Sequence, residues 1–152
     1  SYLERHGTPQ TADDLAEHSC LVYKNNVSLA EWHIKNAVGD VARVKVRGPL
    51  TANNTEALHA AARDGLGIAL LPTWTMGDDV RSGRLVRLLP GHEADLHAQE
   101  TAIHAIYPHA RHLSAKVRAF VDFLVEKFRP TPYWECDDVA DCGPERLIAA
   151  NR

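Results

Sequence analysis

TANNTEALHAAARDGLGIALLPTW, residues 51–74, decides the fold. Asn53 is a good helix N-cap, and Glu56 stands three residues later in the capping-box position. TEALHAAARD is rich in strong helix formers, with Leu58, Ala61 and Ala62 at helical spacing. Gly65 falls just past the end, where a residue that accepts positive φ is favoured. GIALL is then a continuous apolar run, which suits a strand buried on both faces of a parallel sheet, and Pro72 stops it. Gly65-Leu66-Gly67 superficially resembles a nucleotide-binding loop. That fingerprint, however, follows a strand and opens a helix, whereas here the glycines close a helix and open a strand, and the third glycine position is Leu70.

Upstream, VARVKVRG alternates, with Val44 and Val46 on one side and Arg43, Lys45 and Arg47 on the other. Residues 41–71 therefore read as strand, helix, strand, with the helix as a crossover. EWHIKN and CLVYK (20–24) read as further strands. SYLERHG reads as helix turns ending at Gly7, and TADDLAEH as a helix capped by Thr11 with Asp13 and Asp14 in its first turn. Beyond Pro72 the pattern predicts a short helix, a turn at Ser82-Gly83 and a strand RLVRLLP. GHEADLHAQE reads as a loop and TAIHAIYP as a strand ended by Pro108. Ser114 caps AKVRAFVDFLVEKF, where Val117, Phe120, Val121, Leu124 and Phe128 form an amphipathic stripe.

The 152 residues suit one ordinary domain, and 45% apolar with 24% charged residues is a globular profile. No apolar run approaches the roughly 20 residues that span a bilayer, and the start shows no signal-peptide pattern. Residues 131–152 carry five acids and two arginines, which accounts for the whole net charge of −3. Residues 1–130 balance at zero, so no basic face for gripping phosphate backbones is indicated. The polar, acidic tail 131–152 is expected to be loosely attached. Three cysteines, Cys20, Cys136 and Cys142, form no CxxC and predict no disulfide framework. Nine histidines, including His92, His97, His104 and the pair His109 and His112, show no zinc spacing, so no metal is expected. Ser114, with His112 and Asp122 near, lacks a nucleophile elbow and has a sufficient role as a cap, so no catalytic set is expected.

YLERHGTPQTADDLAEHSCL, VRGPLTANNTEALHAAARDGLGIALLPTW, GRLVRLLP and AIYPHARHLSAKVRAFVDFLVEKF, in this order, resemble the effector-binding domain of LysR-type transcriptional regulators over residues 1 to about 130. Pro132-Tyr133-Trp134-Glu135 fits the tail of one large branch. The resemblance implies an α/β, type II periplasmic-binding-protein-like fold of two subdomains with a ligand cleft between them. Residues 1–100 would be most of subdomain II, and residues 101–130 the C-terminal strand and helix of subdomain I. The family's winged helix-turn-helix domain and the first half of subdomain I, which stand before YLERHG, are not within these residues. The resemblance further implies a cytoplasmic regulator, a homodimer or homotetramer when full length, that contacts DNA only through that helix-turn-helix domain. It uses no cofactor and senses a small metabolite. A transport-type solute-binding protein of the same fold is the alternative.

Ligands of open α/β sheets bind beyond the carboxyl ends of the strands, where helix N-termini offer N–H groups to anions. The candidate edge is Tyr23, Lys24, Pro49, Leu50, Thr51, Asn53, Asn54, Leu71, Pro72 and Thr73, with Tyr107 and Pro108 from the strand that crosses back. A carboxylate suits the helix start near Asn53. Simple capping would equally account for Asn53 and Thr73, and hinge packing for Tyr107.

Overall fold

The computed structural model describes residues 2–24, 30–96, 104–107, 114–129, 132 and 145–150. Helix α1 (Tyr2–His6) leads into a 3-10 turn at Asp13–Glu17. Strands β1 (Cys20–Tyr23), β2 (Glu31–Lys35), β3 (Val41–Lys45) and β4 (Thr51–Ala52) follow. Then come α2 (Thr55–Arg63), β5 (Ile68–Pro72), α3 (Thr73–Arg81), β6 (Leu85–Arg87), β7 (Glu93–Asp95), α4 (Ala115–Lys127) and β8 (Glu145–Ala150).

Two sheets form. One has the order β4-β1-β5-β8-β6, with β4, β1 and β5 parallel and β8 antiparallel to both its neighbours. The other is the antiparallel ribbon β3-β2-β7. The apolar run at β5 is buried on both faces, as expected. Ala69 and Leu71, with Leu21 of β1, pack under Leu58, Ala61 and Ala62 of α2 and Met76 of α3. Ile68 and Leu70, with Cys20 and Val22, face Tyr2, Leu15, Trp32, Ile34, Val44 and Val46. The domain is thus three layers: two helices, the mixed sheet, and the ribbon with α1 and the 3-10 turn.

The crossover differs from its expected form. Strand 41–45 does not enter the parallel sheet; it pairs with β2. The strand that precedes α2 is the two-residue β4, and β1 lies between β4 and β5. Residues 41–52 nevertheless run as one extended segment. Cys20 N–H donates to Arg47 O at 2.8 Å, Val22 N–H to Leu50 O at 2.9 Å and Lys24 N–H to Ala52 O at 2.9 Å. Two residues of β1 thus oppose three between Arg47 and Leu50, which is a bulge at Gly48-Pro49. The bulge carries the segment from one sheet into the other.

The two glycines of GLG do different things. Gly65 has φ +73° and stands at C′ of α2. Its N–H reaches Ala62 O at 3.0 Å and Leu66 N–H reaches Ala61 O at 3.1 Å, the paired bonds of a Schellman end. Gly67 is needed for space. A Cβ there would stand 2.2 Å from Ser19 O, where the entry to β5 runs against the entry to β1.

Other expectations change locally. Residues 13–17 form a 3-10 turn, and Thr11 does not cap it; instead the Asp14 carboxylate accepts the N–H groups of Gln10 (2.8 Å) and Thr11 (2.9 Å). Competition by this local side-chain bond explains the lost α-helix. Part of the expected loop 91–100 forms β7, because Glu93–Asp95 completes the free edge of β2. Residues 104–107 form no strand; the remainder of TAIHAIYP, His109, His112, Cys136 and Cys142 lie outside the described residues. Ser114 caps α4 as expected, its Oγ accepting from Val117 N–H at 3.3 Å, but α4 buries none of its residues, and Phe120 is 60% exposed. The tail expected to be loosely attached contains β8 at 145–150, an inner strand of the main sheet.

Candidate functional site

Parallel pairing brings the carboxyl ends of β4, β1 and β5 to one edge. Val22 is opposite Thr51 and Tyr23 opposite Ala52, while β5 leaves the sheet at Pro72. Helices α2 and α3 begin at this edge, directly after β4 and β5. Eight of the sequence-predicted residues therefore meet there: Tyr23, Lys24, Thr51, Asn53, Asn54, Leu71, Pro72 and Thr73. Lys24, Thr51, Asn53 and Asn54 are exposed, Tyr23 and Pro72 are half-buried, and Leu71 and Thr73 are buried. Leu71 is a core residue under α2 and α3, so it shapes the edge from beneath. Tyr107 stands apart from these ladders: residues 104–107 belong to no helix or strand, and the side chain is exposed.

The two helix starts are not equivalent. The cap of α2 is Asn54, one residue later than expected; its Oδ1 accepts the N–H groups of Glu56 at 2.8 Å and Ala57 at 3.2 Å. Two first-turn donors of α2 are thereby taken. Asn53 is left without the capping role. At α3 the cap position is Pro72, whose side chain has no group to accept a first-turn N–H. Its first turn presents N–H groups and the positive end of the helix dipole toward the edge.

A second polar cluster lies away from this edge and escaped the sequence reading. Asp79 of α3 is 4% exposed. His59 of α2 brings Nε2 to 2.6 Å from its Oδ2, Arg63 brings Nε to 3.4 Å, and Arg84 bonds the other oxygen. The His59 ring is close enough to pair but not aligned for a hydrogen bond. Burial raises the Asp79 pKa, but the Arg84 hydrogen bond and the charges of Arg63, Arg84 and His59 outweigh it and hold the carboxyl below its ordinary range. A hollow of about 350 Å³ opens beside it, lined by Arg63, Asp64, Ser82, Gly83 and Arg84. It sits at the C-terminal ends of α2 and α3, the opposite edge of the sheet, and its arginines already serve Asp79. The signal in the sequence was the i, i+4 pair His59 and Arg63 on one helix face, which only tertiary packing connects to Asp79.

Among the described residues no group of three His, Cys, Asp or Glu side chains could hold a metal ion, and no helix is long and apolar enough to cross a membrane.

A sheet with parallel strands, helices starting at its carboxyl edge and an exposed polar rim there is the architecture of an α/β lobe of the periplasmic-binding-protein type. Residues 1–129 match the LysR substrate binding domain, and the chain belongs to that family. It is 36% identical over 128 residues to the HTH-type transcriptional regulator DmlR of Escherichia coli (84% of this chain, 40% of the relative). It is 34% identical over 126 residues to the HTH-type transcriptional regulator CrgA of Neisseria meningitidis serogroup C (83% and 40%). The regulatory domain of AphB of Vibrio vulnificus superposes with a TM-score of 0.64 at 29% identity, covering 82% of this chain and 59% of that one. The CrgA regulatory domain superposes with a TM-score of 0.56 at 29% identity, covering 83% and 60%. The chain spans about 40% of the length of these curated relatives.

Proposed function

We propose that this chain is the effector-sensing part of a LysR-type transcriptional regulator. It binds a small anionic metabolite at the edge formed by Tyr23, Lys24, Thr51, Asn53, Asn54, Pro72 and Thr73. The observation that supports this most directly is the start of α3: a nine-residue helix that begins at the sheet's carboxyl edge, with Pro72 at its cap position, beside exposed Lys24 and Asn53. A carboxylate placed there would accept first-turn N–H bonds and meet the dipole's positive end. Residues 101–130, with Tyr107, would belong to subdomain I, which closes the cleft from the other side. DNA would be read by a helix-turn-helix domain of the whole regulator, a cytoplasmic homodimer or homotetramer. Effector binding would change the angle between subdomains and so couple to DNA, typically by about 1–3 kcal/mol. The solute-binding alternative is not favoured, because the relatives are transcriptional regulators.

The test uses the intact regulator. Asn53→Ala and Thr73→Ala should each shift the effector dose–response to higher concentration while thermal stability stays within about 1 kcal/mol of wild type. Overlaying curves for both variants would reject the edge. The 152-residue chain alone should give no sequence-specific shift of promoter DNA in a gel.

A further inference from the structure

The hollow beside Asp79 is walled by Arg63 and Asp64 at the end of α2 and by Ser82, Gly83 and Arg84 just beyond α3. Its walls carry charges of both signs with bonding capacity left over. Asp79 holds both guanidiniums by their Nε side: Arg84 Nε donates to Oδ1, and Arg63 Nε lies 3.4 Å from Oδ2. Among the described residues the terminal amino groups of both arginines make no hydrogen bond. The Asp64 carboxylate is exposed at the C-cap of α2 and pairs with no cation among the described residues, neither arginine included. A carboxylate at a helix C-terminus is unfavourable, because the dipole's negative end lies there. Nothing on this surface offsets that cost.

The arginines are also placed in advance. A solvated surface arginine moves freely, but these two are anchored by a carboxylate that is only 4% exposed. Anchoring lowers the ordering cost that a ligand meets on binding. The planar end of each guanidinium suits a carboxylate. Charge decides what kind of molecule fits. Arg63 and Arg84 balance Asp64 and Asp79, so these four groups sum to zero. Two helices point the negative ends of their dipoles at the hollow. A plain anion would meet the guanidiniums but be repelled by Asp64 and the helix ends, and a plain cation would meet the reverse.

We propose that this hollow binds a small zwitterion of the α-amino-acid class. The ligand carboxylate takes the free amino groups of Arg63 and Arg84, and its ammonium turns toward Asp64 and the helix ends. The volume of about 350 Å³ falls within the range of small-molecule sites, about 300–1,000 Å³. The site shares no residue with the effector edge and lies at the other end of the same two helices.

The test uses the 152-residue chain, isotope-labelled for amide spectra, with L-alanine as the probe. The amide signals of Asp64, Gly83 and Arg84 should shift and saturate with a Kd on the order of mM. N-acetyl-L-alanine lacks the ammonium and L-alanine amide lacks the carboxylate; each should bind about tenfold more weakly. Asp64→Asn removes no bond of the fold, so its melting temperature should hold, and it should bind L-alanine and N-acetyl-L-alanine alike. Arg84→Gln also removes a bond to Asp79, so Arg63→Gln, whose contact with Asp79 is longer, is measured beside it; each should weaken L-alanine about tenfold. Absence of a saturable shift would overturn the proposal, as would shifts confined to the edge at Asn53 and Thr73. Binding of N-acetyl-L-alanine as tight as that of L-alanine to the wild type would also overturn it, and so would an undiminished preference for L-alanine in Asp64→Asn.

Discussion

His59 Nε2 lies 2.6 Å from Asp79 Oδ2, which joins α2 to α3 through one buried carboxylate. Arg63 and Arg84 complete the set from α2 and from the turn into β6. Both arginines are about half exposed, so solvent weakens each pair. Asp79→Asn should therefore cost about 1–3 kcal/mol in urea unfolding, chiefly from the donors it leaves unmatched. The sign with pH follows from the depressed carboxyl. This stabilisation is fully present above the ordinary value of 3.8 and is lost as pH falls through the folded-state value below it. The wild-type advantage over Asp79→Asn should shrink only in that acid window.

Tyr2 holds α1 to the body. Its hydroxyl accepts Ser19 N–H at 2.8 Å and lies 3.0 Å from His18 Nδ1, and its ring stacks on His6 at 4.4 Å. Tyr2→Phe should cost about 1–2 kcal/mol, read as a lower melting temperature. Burial, then the charge of His6, lowers the His18 pKa, and Asp14 only partly opposes them. A base depressed in the fold favours the neutral ring. Its contribution is present above the ordinary value of 6.5 and declines as pH falls through the lower folded value. His18→Gln should flatten stability between about pH 6.5 and the acid side; an unchanged pH profile would show that folding does not shift the His18 pKa.

The glycines of GLG should respond in different ways to alanine. At Gly65 the penalty is a left-handed backbone, about 1–2 kcal/mol. At Gly67 the added methyl meets a backbone carbonyl at 2.2 Å, which neither strand can move without breaking the Ile68 N–H to Ser19 O bond. Gly67→Ala should cost about 3 kcal/mol, more than Gly65→Ala. Urea midpoints of the two variants check the order.

Asn54→Ala should lower stability by about 1 kcal/mol through loss of the α2 cap. Asn53→Ala should not, since it makes no capping bond. Paired melting curves distinguish the residue that builds the helix from the one assigned to the effector.

Cys20 should be inert in the fold. It is fully buried, its Sγ lies 3.5 Å from Leu15 O, and burial pushes its pKa up to about 12. A thiol reagent at pH 8 should modify this position only in denaturant; rapid labelling of the native chain at Cys20, located by mass spectrometry, would contradict this burial.

The legible parts of the sequence were those set by local chemistry. The α2 face, the Gly65 end, the β5 run and the Ser114 cap each follow from a few adjacent residues. So did the edge where α2 and α3 begin, because strand ends and helix starts are local events. What stayed hidden depends on partners distant in sequence. Nothing in VARVKVRG says that Val44 faces Trp32 of β2 in a second sheet, and nothing in ERLIAA marks a strand between β5 and β6. The Asp79 cluster needed α2 and α3 side by side. The displaced cap illustrates a finer limit: Asn53 and Asn54 are both good caps, and only the short β4 ladder decides between them.

The bulge at Gly48-Pro49 has a consequence for how the molecule comes apart. Because residues 41–52 serve both sheets in one continuous run, neither sheet can open without pulling on the other. Native-state amide exchange should find Val44 and Val22 protected by the same opening free energy, so that ribbon and main sheet unfold as a single cooperative unit.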